Sequence, residues 1–328
     1  MRLYLVIAVV AAQVLVLAVM AGQREWILAT GETVYLRTAP IDPRDPFRGD
    51  FVRLSYALNE IDPGLLASAP EELPRGSVIH ALLEPDARNV AAVRGYSLRE
   101  PEERLYLRGR TRHHWRRHRG QRLWADFGIE TYFVQQGRGL ELEERQGRRD
   151  TMQIPLEMEL AVGGDGTAII RGHRWSPLGM WLEVSQPVEG EETPPAPRVT
   201  FSLLNASDAP LAIIDPPDHC ALALESAGWG EQSDFVPAHD ACDNVTIRAG
   251  DLRVLQPGEI HSVSLDLARP RWHVRTPAGE VLPVNALPNA RLRLVYRVPE
   301  RVDIDPENAF LWRGELPSPA FWAGGRVD

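Results

Sequence analysis

From Leu3 to Ala21 every position except Gln13 is apolar. As a helix this block reaches about 28 Å, close to the roughly 30 Å hydrocarbon thickness of a bilayer, and it predicts one membrane-crossing helix. Beyond Gly22 the pattern changes to short runs in which apolar and polar residues alternate, bounded by Gly, Pro, Asn and Asp, as in half-buried strands. Thr33 to Arg37 is the first such run and Phe51 to Leu58 the second, with Val52, Leu54, Tyr56 and Leu58 on one face. Ser77 to Leu83, Arg104 to Arg110, Asp126 to Val134 and Ile154 to Val162 continue the series. Gly163-Gly164-Asp165-Gly166 then predicts a hairpin turn into Thr167 to Arg171, because glycine and aspartate tolerate the positive φ that such turns need. Helix is expected only near Gly139 to Gln146.

A second unit begins near Trp175 to Gly179. Gly179 to Val184 reads as its first strand, and the Glu- and Pro-crowded stretch 186–197 as a loop that packs no core. Alternation then becomes regular through Val199, Phe201 and Leu203, through Val263, Leu265 and Leu267, and through Leu292, Leu294, Tyr296 and Val298. About six or seven strands of this kind predict an antiparallel immunoglobulin-like sandwich. The expected fold is therefore mainly β: a membrane anchor in residues 1–22, a β-rich domain with little helix in 23–175, and the sandwich in 176–328.

Charge around the first block sets the compartment. Arg2 precedes it, whereas Arg24 and Glu25 cancel after it, so the positive-inside bias leaves the N-terminus in the cytoplasm and exports the rest. Val19-Met20-Ala21 before Gly22 also fits a signal-peptidase site, but the block is longer than a usual signal core, which favours retention. The expectation is a single-pass bacterial inner-membrane protein with periplasmic domains. In that oxidising space the two cysteines, Cys220 and Cys242, most simply form one disulfide, contributing about 3 kcal/mol by restricting the unfolded chain. A nucleophilic Cys220 activated by His219 is the weaker alternative, since neighbours in a strand face opposite sides.

Composition excludes more than it assigns. The net charge of −9 argues against nucleic acid as a partner. All 36 basic residues are arginine, which keeps its proton, so Schiff-base chemistry, a Ser/Lys dyad and a P-loop lysine are ruled out. Neither a Gly-x-Ser-x-Gly elbow nor a dinucleotide fingerprint is present. Arg104 to Arg122 holds eight arginines, three histidines and no acid. His113, His114 and His118 could be drawn as a metal site there, but the flanking arginines repel a cation, and no cofactor or metal is expected.

One segment carries a family resemblance. Gly49, Asp50, Phe51, Leu54 and Tyr56 follow the proline-stiffened stretch Arg37 to Arg48, and the block resembles the signature of the GDYXXLXY family, with Phe51 where that signature has tyrosine. Gln23 to Trp26, Gly128 to Val134 and the Asp165-Gly166 turn before Ala168 to Arg171 extend the resemblance over roughly the first 175 residues. It implies a membrane-anchored bacterial protein of unestablished function, similar to members encoded beside a multi-spanning membrane protein. Physically, Pro40, Pro43 and Pro46 fix φ, while Asp42 and Asp45 suit Asx turns. Structure alone explains these residue types; the functional alternative is that the loop displays Arg37, Asp42, Arg44, Asp45 and Arg48 to a partner. The leading expectation is a non-enzymatic protein, embedded in the inner-membrane lipid bilayer, that binds or scaffolds an integral membrane protein and carries an exposed aromatic patch. An envelope hydrolase using Asp42, Asp45 and Asp50 is the alternative. A third reading, a carbohydrate-binding module, requires Trp229, Trp272, Trp312 and Trp322 to line one surface.

Overall fold

The structure is a computed structural model and describes residues 2–38, 51–66, 70–102, 105–117, 123–135, 138–147, 151–185, 196–227, 236–237, 242, 247–276, 278–287, 289–298 and 309–324. It is mainly β, with one long N-terminal helix.

Arg2–Thr30 is a single continuous helix, and Tyr4–Thr30 within it is long and apolar enough to cross a membrane. Its apolar side chains, Leu5, Val10, Leu15 and Leu17 among them, face outward. The helix stops where Gly31 N–H closes onto Ile27 O at 2.8 Å and the Thr30 hydroxyl turns back to Trp26 O at 2.8 Å. Its end is tied to the next unit: Arg171 donates to Thr33 Oγ1 at 2.6 Å and to Leu28 O.

The first unit contains a three-stranded antiparallel sheet in the order Glu32–Arg37, Leu156–Val162, Ala168–Trp175. A five-stranded sheet runs Glu60–Ile61, Leu123–Asp126, Tyr106–Thr111, Val78–Pro85, Ala91–Ser97. Phe51–Arg53 and Thr131–Phe133 form a separate two-stranded ribbon. These elements share one core that includes Val34, Leu36, Ile79, Leu107, Trp115 and Met158. The short helix is Arg138–Gln146. Two expected strands are shorter than their alternation. Val52, Leu54, Tyr56 and Leu58 are all buried as the pattern requires, yet the ladder ends at Arg53 because Ala57–Asn59 turns into a 3-10 helix. Asp126 to Val134 is split by a turn with Gly128 at φ 80°.

The second unit has its own core, drawn from residues between Leu178 and Ala323 and centred on Trp312, Tyr296 and Phe201. Arg198–Asn205 lies between Leu178–Val184 and Ile260–Asp266, and Arg291–Val298 pairs with Leu222–Ser226, Gly314–Pro317 and Phe321–Trp322. Leu211–Ile214 pairs antiparallel with Leu252–Leu255 but parallel with Phe310–Leu311, a departure from the wholly antiparallel expectation.

Candidate functional site

The signature residues divide into a buried half and an exposed half. Leu54 and Tyr56 are in the core. The Tyr56 hydroxyl donates to Ile129 O at 3.1 Å, and burial pushes its pKa well above that of a free phenol. Asn59 accepts from Tyr56 N–H at 2.9 Å and donates to Ala125 O at 3.0 Å and to Glu130 Oε1 at 2.9 Å. The Glu130 carboxylate takes the N–H groups of Phe127 and Gly128 at 2.6 and 2.9 Å, while Leu54 N–H donates to Glu130 O at 2.9 Å. Two sequence blocks more than seventy residues apart are thus one hydrogen-bonded unit. Every polar side-chain atom in it that water cannot reach has a partner, as burial demands.

That unit holds the ribbon in place. Val52 points into the core, and Tyr132 is half-buried, its hydroxyl 3.2 Å from His173 Nδ1. Period-two alternation then turns Phe51 and Phe133 outward. They face one another in register with ring centroids 6.2 Å apart, and they are 39% and 78% exposed. Arg53 and Thr131 share this outer face. Beneath the ribbon, His173 packs edge-on to Trp175, and Arg145 lies over Trp175 at 4.9 Å. Burial, with Arg138 and Arg145 nearby, lowers the His173 pKa. Gly49, Asp50, Asp42, Arg44, Asp45 and Arg48 lie outside the described residues.

Arg37, expected at the start of the displayed loop, is turned inward. Cross-strand register places Arg37, Glu157 and Arg174 in one row over the three-stranded sheet. The Glu157 side chain is fully buried and accepts from Arg88 at 2.9 Å through each oxygen, from Arg174 Nε at 2.8 Å and from Arg37 at 3.4 Å. Burial alone would raise its pKa, but the Arg37 and Arg88 charges and the hydrogen bonds from Arg88 and Arg174 hold it below the usual carboxylate range. The row also joins the two units. Arg37 donates to Glu315 O at 2.8 Å, and Arg88 sits 5.8 Å from the centre of the Trp312 ring. Sequence reading overlooked Glu157 because alternation alone assigns it to a solvated face; the available signal was an arginine directly opposite it on each neighbouring strand.

The remaining candidates resolve as structure. Cys220 and Cys242 form the disulfide, with Cα atoms 5.3 Å apart, so Cys220 is no nucleophile. Beside it, Asp215 accepts from His219 Nδ1 at 2.8 Å and His261 Nε2 at 2.9 Å. Burial opposes the Asp215 charge, but these two bonds prevail and lower its pKa. The arginine-rich stretch pairs with acids from elsewhere: Arg108 with Asp165, Arg112 with Asp126, Arg116 with Glu72 and Arg117 with Glu71. His118 and Trp229 lie outside the described residues. Trp272 and Trp312 are core residues, which removes two of the four rings a carbohydrate platform required. Among the described residues no group of His, Cys, Asp and Glu is arranged to hold a metal ion.

A long apolar helix running directly into a β-rich unit, whose signature residues are half core and half exposed aromatic ribbon, defines a helix-led β protein. Residues 13–172 match the GDYXXLXY protein family model. Through that stretch, which takes in part of the helix and all of the first core up to Ala168, the chain belongs to the GDYXXLXY family. No curated protein and no solved structure matches the chain.

Proposed function

We propose that the chain is a non-enzymatic, single-pass bacterial inner-membrane protein. Its N-terminus is cytoplasmic, and its two β units work in the periplasm, where they bind or scaffold an integral membrane protein. The observation that carries this reading is the Phe51–Phe133 pair, two large rings kept in water by a ribbon whose other face is packed. Aromatic side chains flanked by arginine are the composition of interface centres. The pair also follows directly on the 37–50 loop, so the signature combines a buried half that fixes position with an exposed half free to engage a partner. The C-terminal unit, with one core beneath several sheets, serves as an immunoglobulin-like sandwich braced against the first unit through Arg37, Arg88 and Glu315.

The test is a photoreactive amino acid at position 133, irradiated in native membranes. A discrete adduct with a multi-spanning protein, lost when Phe51→Ala is added, is expected. Labelling no stronger or more specific than from exposed position 248 would overturn the proposal.

A further inference from the structure

Where the helix meets the first unit, the two enclose a cavity of about 950 Å³. The last turns of the helix form one wall through Trp26, Ile27 and Thr30; the Gly163–Asp165 turn and the Glu100–Tyr106 segment form the other. Its lining combines two chemistries. Trp26, Ile27 and Leu105 are apolar, whereas Glu32, Glu100, Glu102 and Asp165 are carboxylates. Glu100 accepts the Tyr106 hydroxyl at 2.9 Å, and Asp165 is paired with Arg108 at 3.1 Å. Glu32 and Glu102 have no ion-pair partner among the described residues. Such a cavity is complementary to a cation that carries apolar bulk.

Depth narrows the choice. At the helical rise, Trp26 stands about 7 Å and Thr30 about 13 Å beyond Ala21, where the apolar block ends. The headgroup layer is itself roughly 5 to 8 Å thick on each side, so the cavity opens at its outer edge. Trp at this level is the usual interfacial anchor. Two cations reach this place, a basic flank of a partner helix and the ammonium of a lipid headgroup. The positive-inside rule depletes Lys and Arg from exported flanks, which favours the lipid.

We propose that this cavity binds the headgroup of an aminophospholipid of the phosphatidylethanolamine class. Glu32 and Glu102 take the ammonium, Trp26 and Ile27 pack on the glycerol end, and Arg24, one turn nearer the bilayer, stands at the level of the phosphate. The inference rests on the helix being retained as an anchor. It is tested by native mass spectrometry of the full chain, extracted in mild detergent and offered equal amounts of phosphatidylethanolamine, phosphatidylcholine and phosphatidylglycerol. The expected result is a phosphatidylethanolamine adduct about tenfold over the other two, reduced to their level in Glu32→Gln/Glu102→Gln, whose exposed positions leave folding intact. Equal retention of the three lipids, a preference for phosphatidylglycerol, a bound polypeptide in place of lipid, or an unaffected double variant would each overturn it. The intact mass in the same spectrum separates the two claims, since a chain beginning at Gly22 refutes the anchor whatever lipid is bound.

Discussion

Replacing Glu157 with glutamine changes almost no volume and removes one charge from the row that ties the two units together. In the native protein that carboxylate, with no exposed surface, faces three guanidinium groups at 2.8 to 3.4 Å. Without it Arg37, Arg88 and Arg174 repel one another in a poorly hydrated place; removing one partner of such a buried cluster costs about 3–5 kcal/mol. The pH dependence has a definite sign. The folded-state pKa of Glu157 lies below its unfolded value, so its contribution is complete above the ordinary carboxylate range and is lost as pH falls through the depressed folded value. Urea unfolding of wild type and Glu157→Gln in detergent, followed by near-ultraviolet circular dichroism between pH 7 and pH 3, separates the two effects. The variant is expected to be less stable by that amount at neutral pH and to lose less on acidification. A difference under about 1 kcal/mol at pH 7, or parallel pH curves, would show that the row is not the clamp described.

Other substitutions have separate expectations. Tyr56→Phe leaves Ile129 O without its donor and should cost about 1 kcal/mol, while Asn59→Ala, which strands several buried groups, should cost about 2–3 kcal/mol, both read from denaturant midpoints. Converting Cys220 and Cys242 to serine should lower stability of the C-terminal unit by about 3 kcal/mol, the amount expected for a loop of this length. Phe51→Ser with Phe133→Ser should change stability by less than about 0.5 kcal/mol yet abolish recovery of the partner, because exposed side chains contribute to association rather than folding.

The fold was legible wherever one sheet face is dry and the other wet. Glu32–Arg37, Arg198–Asn205 and Arg291–Val298 follow from alternation, and the Gly163–Gly166 turn from its glycines. Leu211–Ile214 is buried on both faces, so it carries no period to read. The Phe51 to Leu58 pattern identified the right inward-facing residues but not the end of the ladder, which depends on Asn59 reaching Glu130 from a distant turn. The site was legible in the same uneven way. Cys220 and Cys242 were an arithmetic necessity once export was assumed. Phe51 was visible only as a departure from a signature, and its partner Phe133 became a candidate only through strand register. Arg37 and Glu157 were unreadable because their burial comes from the second unit lying against the first, a contact without local pattern.

The central claim is that the apolar helix stays attached and holds both β units outside the cytoplasm. It is tested most directly by carbonate-washing membranes from cells making the chain with a C-terminal tag, determining the intact mass, and adding protease before and after opening the outer membrane. The full-length mass in the washed pellet, with the tag digested only once the outer membrane is open, is the predicted result. A soluble chain beginning at Gly22, or a tag protected in spheroplasts, would contradict the account.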